Sequence, residues 1–147
     1  RKLQLILMKK ILVICTGNAC RSQMAHGFLN DLAKNEYEIF SAGTHPTRVH
    51  PAAIKVMNEI DIDISTHTSD PIDDYIDKGI DIVITVCDSA NKLCPTFPGN
   101  VERIHWSISD PYINWSDEEQ FLSTYRNARN IIQEKIESFL NEKRPIN

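Results

Sequence analysis

Apolar residues along this chain come in two rhythms, and each change of rhythm marks a change of element. Residues 10–15, 80–87 and 101–106 are runs rich in β-branched and aliphatic side chains that predict buried strands, and the shorter run 37–42 leads into Gly43 as a fourth. Between them the period lengthens. Within 21–33, Met24, Ala25, Phe28, Leu29 and Leu32 fall on one helical face; within 51–60, Ile54, Val56, Met57 and Ile60 follow Pro51, a residue suited to a first turn. The stretch "SDPIDDYI" predicts a short helix capped by Ser69 or Asp70. The strongest helical pattern closes the chain. There Ser116 and Glu119 form a capping box, and Phe121, Leu122, Tyr125, Ala128, Ile132, Ile136 and Phe139 recur at helical spacing.

Strands alternating with helices predict a parallel sheet covered on both faces, and ligands of such sheets bind beyond the carboxyl ends of the strands. Cys15 and Cys87 both close strands, so both are expected at that edge. The 147 residues fit one domain, taken as residues 8–147, with 1–7 an extension ahead of Met8 as the expected natural start. Lys9 and Lys10 split the opening apolar run and no small-residue cleavage site follows, which argues against a signal peptide. No run approaches the ~20 apolar residues of a membrane span, so no membrane is expected. The formal net charge of −4 argues against a nucleic-acid ligand and leaves a small anion, captured locally, fully open. A cytoplasmic location is expected, where the 4 cysteines serve catalysis, redox chemistry or metals rather than structural bridges.

The first strand ends in "VICTGNACRS". Backbone amides of a loop entering a helix N-terminus, here Thr16, Gly17, Asn18, Ala19, Cys20, Arg21 and Ser22, can converge on a tetrahedral oxyanion. Such a field favours thiolate over thiol, which suits Cys15 as a nucleophile. Arg21 adds a planar fork able to hold two oxygens of the anion, and the Ser22 hydroxyl can donate to the sulfur. Gly17 and Asn18 tolerate the left-handed backbone such a loop needs. Gly-Asn alone would indicate a simple strand-to-helix turn. A nucleotide-binding loop is excluded by the missing Gly-Lys-Ser/Thr ending.

This loop resembles the Cys-x5-Arg-Ser phosphate-binding loop of the low-molecular-weight tyrosine phosphatase superfamily, which includes the thioredoxin-coupled arsenate reductases. The likeness runs from about Met8 to the final helix. It implies a flavodoxin-like α/β fold with a four-stranded parallel sheet flanked by helices.

Both branches of that superfamily carry the loop, so "TVCDSANKLCPTFPG" discriminates. A phosphatase has no use for the pair Cys87 and Cys94, whereas a reductase must supply two electrons, and thiols supply them by forming a disulfide. The stretch resembles the redox segment of the reductases. Against it stand a core role for Cys87, the commonest fate of a free cysteine, and zinc, for which the spacings C-x4-C and C-x6-C lack the close C-x2-C knuckle. Asp110, before Pro111 in "HWSISDPY", matches the general-acid aspartate of both branches; "HWSISDP" resembles the reductases, while Asp-Pro-Tyr is common in the phosphatases.

The resemblance implies reduction of arsenate to arsenite by Cys15, Cys87 and Cys94, with thioredoxin as electron donor, phosphate or sulfate as substrate mimics, and no tightly bound cofactor. It implies a monomer, with phosphatase activity on the side. Ser41 and Asp70 match family positions that support the loop and, in some reductases, contribute to a potassium site, but His26 stands where that group has a glutamate, which argues against potassium. His45, His50, His67 and His105 lack metal spacing and are read as surface or hydrogen-bonded structural residues, Trp106 and Trp115 as packing, and "DPIDDYID" as a solvated helix face. Polar Asp88, Ser89, Asn91 and Lys92 predict a mobile surface segment. A phosphatase of small aryl phosphates and a non-enzymatic oxyanion or thiol sensor are the alternative functions.

Overall fold

The structure, a computed structural model, describes residues 8–144; the extension expected at 1–7 lies outside the described residues. Four strands, β1 (Lys9–Cys15), β2 (Tyr37–Gly43), β3 (Ile82–Thr85) and β4 (Glu102–His105), form one sheet in the order β2-β1-β3-β4, and every pairing is parallel. Helices α1 (Arg21–Ala33), α2 (Pro51–Asn58), α3 (Asp88–Leu93) and α4 (Ser123–Lys143) flank it, with 3-10 turns at Ile72–Tyr75 and Glu119–Phe121. This is the expected flavodoxin-like α/β arrangement.

Strand β1 is central and buried from Ile11 to Cys15, because it is covered on both faces. The chain leaves it to pair β2 on one side and returns to pair β3 on the other, so the order reverses at its carboxyl end. That reversal opens a crevice, the general location of ligands in such sheets. Register puts Cys15 opposite Gly43 and Ile14 opposite Thr85. Cys87 therefore emerges just past the same edge.

Several boundaries differ from expectation. The third and fourth strands are shorter than 80–87 and 101–106, and β4 is an edge strand with mostly exposed side chains rather than a buried one. Leu32 turns outward from α1. The Ser116–Glu119 pattern caps no helix. Ser116 Oγ accepts from the Glu118 amide at 3.0 Å, a local turn, while α4 starts at Ser123 without a side-chain cap. Neither Ser69 nor Asp70 caps the 3-10 turn, whose preceding residue is Pro71. Asp88, Ser89, Asn91 and Lys92 lie on the surface as expected, within the short helix α3. Its N-cap is Cys87, whose Sγ accepts from the Ala90 amide at 3.4 Å. Sulfur does here what Ser or Asp does at most helix starts. Among the described residues no helix is long and apolar enough to cross a membrane.

Candidate active site

The loop after β1 is held from outside by its own carbonyls. Cys15 O accepts from Thr44 N at 3.2 Å, Thr16 O from His45 N at 2.8 Å, Gly17 O from Thr47 N at 2.9 Å and Ala19 O from His50 N at 3.0 Å. Asn18 O accepts from Gln23 Nε2 at 2.9 Å. A trans peptide carries N–H and C=O on opposite sides. With each carbonyl turned outward, the amides of residues 16–20 face the cleft, as an anion-binding nest requires.

The cleft has a volume of about 200 Å³ and is lined by residues 15–17 and 19–21 of the loop and by Thr47, Asp110, Tyr112 and Trp115. The side chains of Asn18 and Ser22 are fully buried behind this lining, where they act on the sulfur, as expected of the Ser22 hydroxyl. Asn18 Nδ2 donates to Ser22 Oγ at 2.7 Å, and Ser22 Oγ lies 2.9 Å from Cys15 Sγ. A hydroxyl that already accepts from Asn18 has its proton free for the sulfur. Asn18 is also the left-handed residue of the loop, at φ 47°; Gly17, expected to share that conformation, does not. Gly17 is small for another reason: a Cβ there would sit 3.3 Å from Thr47 Oγ1.

Arg21 is 12% exposed and donates Nη1 to Ile108 O at 2.9 Å, with Nη2 3.7 Å from Asp110 Oδ2. Anchored on one nitrogen, the guanidinium keeps its other edge for an anion. Asp110 is 61% exposed, and its Oδ1 accepts from the Tyr112 amide at 3.0 Å, so its own turn orients the carboxylate over the cleft. Cys20 lines the cleft too, but burial, followed by the neighbouring Cys15, pushes its thiol well above the usual range and keeps it neutral.

Cys87 is buried, and its Sγ lies 3.3 Å from Thr16 Oγ1 in the loop. Cys94 stands at the far end of α3, half-buried, where burial pushes its thiol up and Arg103 partly offsets this. Seven residue steps across the six-residue helix, at 1.5 Å rise each, separate the Cα atoms of Cys87 and Cys94 by about 10 Å along the axis, whereas a disulfide needs roughly 4.4–6.8 Å. All four cysteines are free thiols.

Asp70, matched to a loop-supporting position, donates its amide to Asn18 Oδ1 at 3.0 Å; sequence reasoning missed the rest of the support beneath the loop. Gln23 Nε2 also donates to Thr68 O at 2.9 Å, and Gln23 Oε1 accepts from His67 Nδ1 at 3.0 Å. Ser69 Oγ and Thr47 Oγ1 both donate to Gly17 O. The His67 ring lies 4.4 Å from that of His26, whose Nδ1 pairs with Ser41 Oγ at 2.8 Å. Burial and His67 push His26 down to about 3. Of the residues named for potassium, Ser41 Oγ is engaged by the His26 imidazole, and Asp70 Oδ2 accepts from Thr68 Oγ1 at 2.8 Å and Tyr75 OH at 3.4 Å.

The histidines expected to be structural include His50, which caps α2 by accepting from the Ala52 amide at 2.9 Å. Trp115, expected to be packing alone, stacks on His50 at 4.7 Å, lies under Arg48 at 4.4 Å and walls the cleft.

A family model described as low molecular weight phosphotyrosine protein phosphatase matches residues 10–144. Arsenate reductase 2 of Staphylococcus saprophyticus is 43% identical over 132 residues, covering 89% of this chain and 95% of that protein. A solved structure described as an arsenate reductase in oxidized state superposes with a TM-score of 0.78 at 34% identity, covering 92% of this chain and 98% of the other. The thioredoxin-dependent arsenate reductase of Corynebacterium glutamicum superposes with a TM-score of 0.69 at 26% identity, over 92% of this chain and 64% of that one.

Proposed function

The chain belongs to the low molecular weight phosphotyrosine protein phosphatase family, and from that premise we propose that it is an arsenate reductase regenerated by thioredoxin. One observation carries the choice within the family: Cys87 and Cys94 bracket a short helix whose first cysteine touches the anion loop through Thr16. Arsenate sits in the nest of amides with Arg21 on its open side. The Cys15 thiolate attacks arsenic, Asp110 gives a proton to the departing oxygen, and water leaves. Cys87 then attacks Cys15 Sγ. The S–As bond breaks with its electron pair going to arsenic, which departs as arsenite, and a Cys15–Cys87 disulfide remains. Cys94 attacks Cys87, releases Cys15 as a thiol and leaves a Cys87–Cys94 disulfide, to which thioredoxin returns two electrons and two protons.

The 10 Å axial span estimated for α3 makes the last exchange impossible while the helix is intact, so residues 88–94 unwind during turnover. Until then Cys94 is distant and its thiol is held neutral by burial. A reducing compartment, the cytoplasm, suits four cysteines that work as thiols.

Hydrolysis of small aryl phosphates is a side reaction of the same cleft, since it needs Cys15, Arg21, Asp110 and water but no electrons; Tyr112 and Trp115 supply aromatic walls for an aryl group. The decisive experiment is arsenate turnover with and without thioredoxin, with peptide mapping of disulfides after one equivalent of arsenate. Cys94→Ser should reduce one arsenate, stop at Cys15–Cys87 and fail to turn over. Cys87→Ser should form no disulfide to Cys15. Thioredoxin-dependent turnover by both variants would sink the relay, and phosphate-ester hydrolysis alone by the wild type would make the protein a phosphatase.

A further inference from the structure

The relay leaves open what keeps α3 folded when turnover needs it unfolded. The helix has six residues, far too few for stability on propensity alone, so something outside it holds it. One holder is a polar chain rooted in the sheet. Thr85 and His105 are register partners at the ends of β3 and β4. Thr85 Oγ1 lies 2.8 Å from His105 Nδ1, and His105 Nε2 lies 2.9 Å from Oδ1 of Asp88, the first residue of α3. Thr85 Oγ1 is also 3.2 Å from Oδ1 of Asn91, in the middle of α3. Strand β4 touches the segment again beyond the helix, where Arg103 Nη1 reaches Pro95 O at 3.5 Å.

An ionised carboxylate can only accept, so His105 Nε2 donates to Asp88, while the Thr85 hydroxyl stands between His105 Nδ1 and Asn91 Oδ1 and joins the ring to the middle of the helix. The His105 hydrogen bond, followed by one from Ser107, holds the Asp88 carboxyl below its usual range, consistent with an ionised acceptor. Nothing in the anion chemistry uses this chain. His105 belongs to neither the loop nor the lining of the cleft.

We propose that His105 is a positioning residue: a latch, closed on Asp88, that holds α3 helical in the reduced protein and thereby sets the dithiol–disulfide equilibrium of Cys87 and Cys94. The inference rests on the relay proposed above. The reduced state keeps the helix and the latch; the Cys87–Cys94 disulfide requires residues 88–94 to unwind, which carries Asp88 and Asn91 away from His105 and Thr85. The latch therefore stabilises the dithiol relative to the disulfide. It raises the reduction potential, which eases the return of electrons from thioredoxin, and it slows attack by Cys94.

The test uses the full chain equilibrated in dithiothreitol redox buffers, with the Cys87–Cys94 disulfide quantified by alkylation and peptide mapping. His105→Ala should shift the equilibrium toward the disulfide about tenfold, which corresponds to about 30 mV of lower potential for a two-electron couple. It should also speed conversion of Cys15–Cys87 to Cys87–Cys94 in a single turnover. Asp88→Ala, a surface substitution that spares the sheet, should shift the equilibrium the same way, and the double variant should shift it by less than the sum of the two. Binding of inorganic phosphate, followed by calorimetry, should match wild type in all three, since the loop is untouched. An unmoved equilibrium in Asp88→Ala, or fully additive shifts, overturns the latch. Absence of any Cys87–Cys94 disulfide in wild type after arsenate overturns the relay instead, so the two failures are distinct.

Discussion

Mild acid should weaken this fold through one histidine under the anion loop. His26 is pushed down to about 3 by burial and by His67, from an ordinary value of 6.5. Its folded-state value is depressed, so between the two values the unfolded chain binds a proton that the native protein refuses. Stability is then full above about pH 6.5 and falls as pH drops toward the folded value. The difference in proton binding integrates to about 2 kcal/mol lost between about pH 7.5 and about pH 5. That figure is insensitive to the folded value, because at pH 5 the native imidazole is neutral whether it titrates at about 3 or about 4. For a chain of this size it corresponds to a fall in Tm of about 5 °C. Burial also lowers His67 and His50, which steepens the wild-type curve in the same direction, so the comparison must isolate His26. The perturbation is His26→Gln, which keeps a group able to pair with Ser41 but cannot titrate. Urea unfolding at a series of pH values should show a shallower acid slope in the variant by the amount above, whatever its stability at neutral pH. Parallel curves for the two proteins across that window would refute the reasoning.

Asp110→Asn should slow the chemical step by roughly 10²–10⁴-fold, read as single-turnover formation of arsenite because disulfide transfer can mask it at steady state. Gly43→Ala should damage the nest from behind: its Cβ would meet Thr16 O at 2.6 Å and Asn18 N at 3.0 Å, both backbone atoms. Inorganic phosphate should then bind at least about tenfold more weakly, a loss of about 1.4 kcal/mol, in a protein whose far-ultraviolet circular dichroism is unchanged.

The sheet was legible because β1 is buried on both faces and so reads as an unbroken apolar run, and the loop because Cys15, Arg21 and Ser22 follow it in register. What escaped the sequence was whatever depends on contacts between distant segments. Ser69 supports the loop directly, and His67 through Gln23, across separations that leave no local pattern. The Ser116–Glu119 pair shows the opposite failure, a capping signature that follows the cleft wall at Trp115 and forms a local turn, with a 3-10 turn before the start of the helix. Helix α3 was missed because its cap is a cysteine, a residue outside the usual capping set, and because its hold on the sheet runs through His105. The part that the Asn18 side chain plays was not legible, since spacing cannot tell a side chain that lines a cleft from one buried behind it.

The anchoring of the loop by residues 44–50, Gln23 and Ser69 has a mechanical consequence. None of these supports belongs to α3. In the proposed relay the cradle that holds arsenic and the thiol that travels are therefore carried on separate pieces of chain, which meet at the Thr16–Cys87 contact. Uncoiling α3 would then leave every one of those struts in place, and the anion site would be ready for its next guest before the disulfide is reduced.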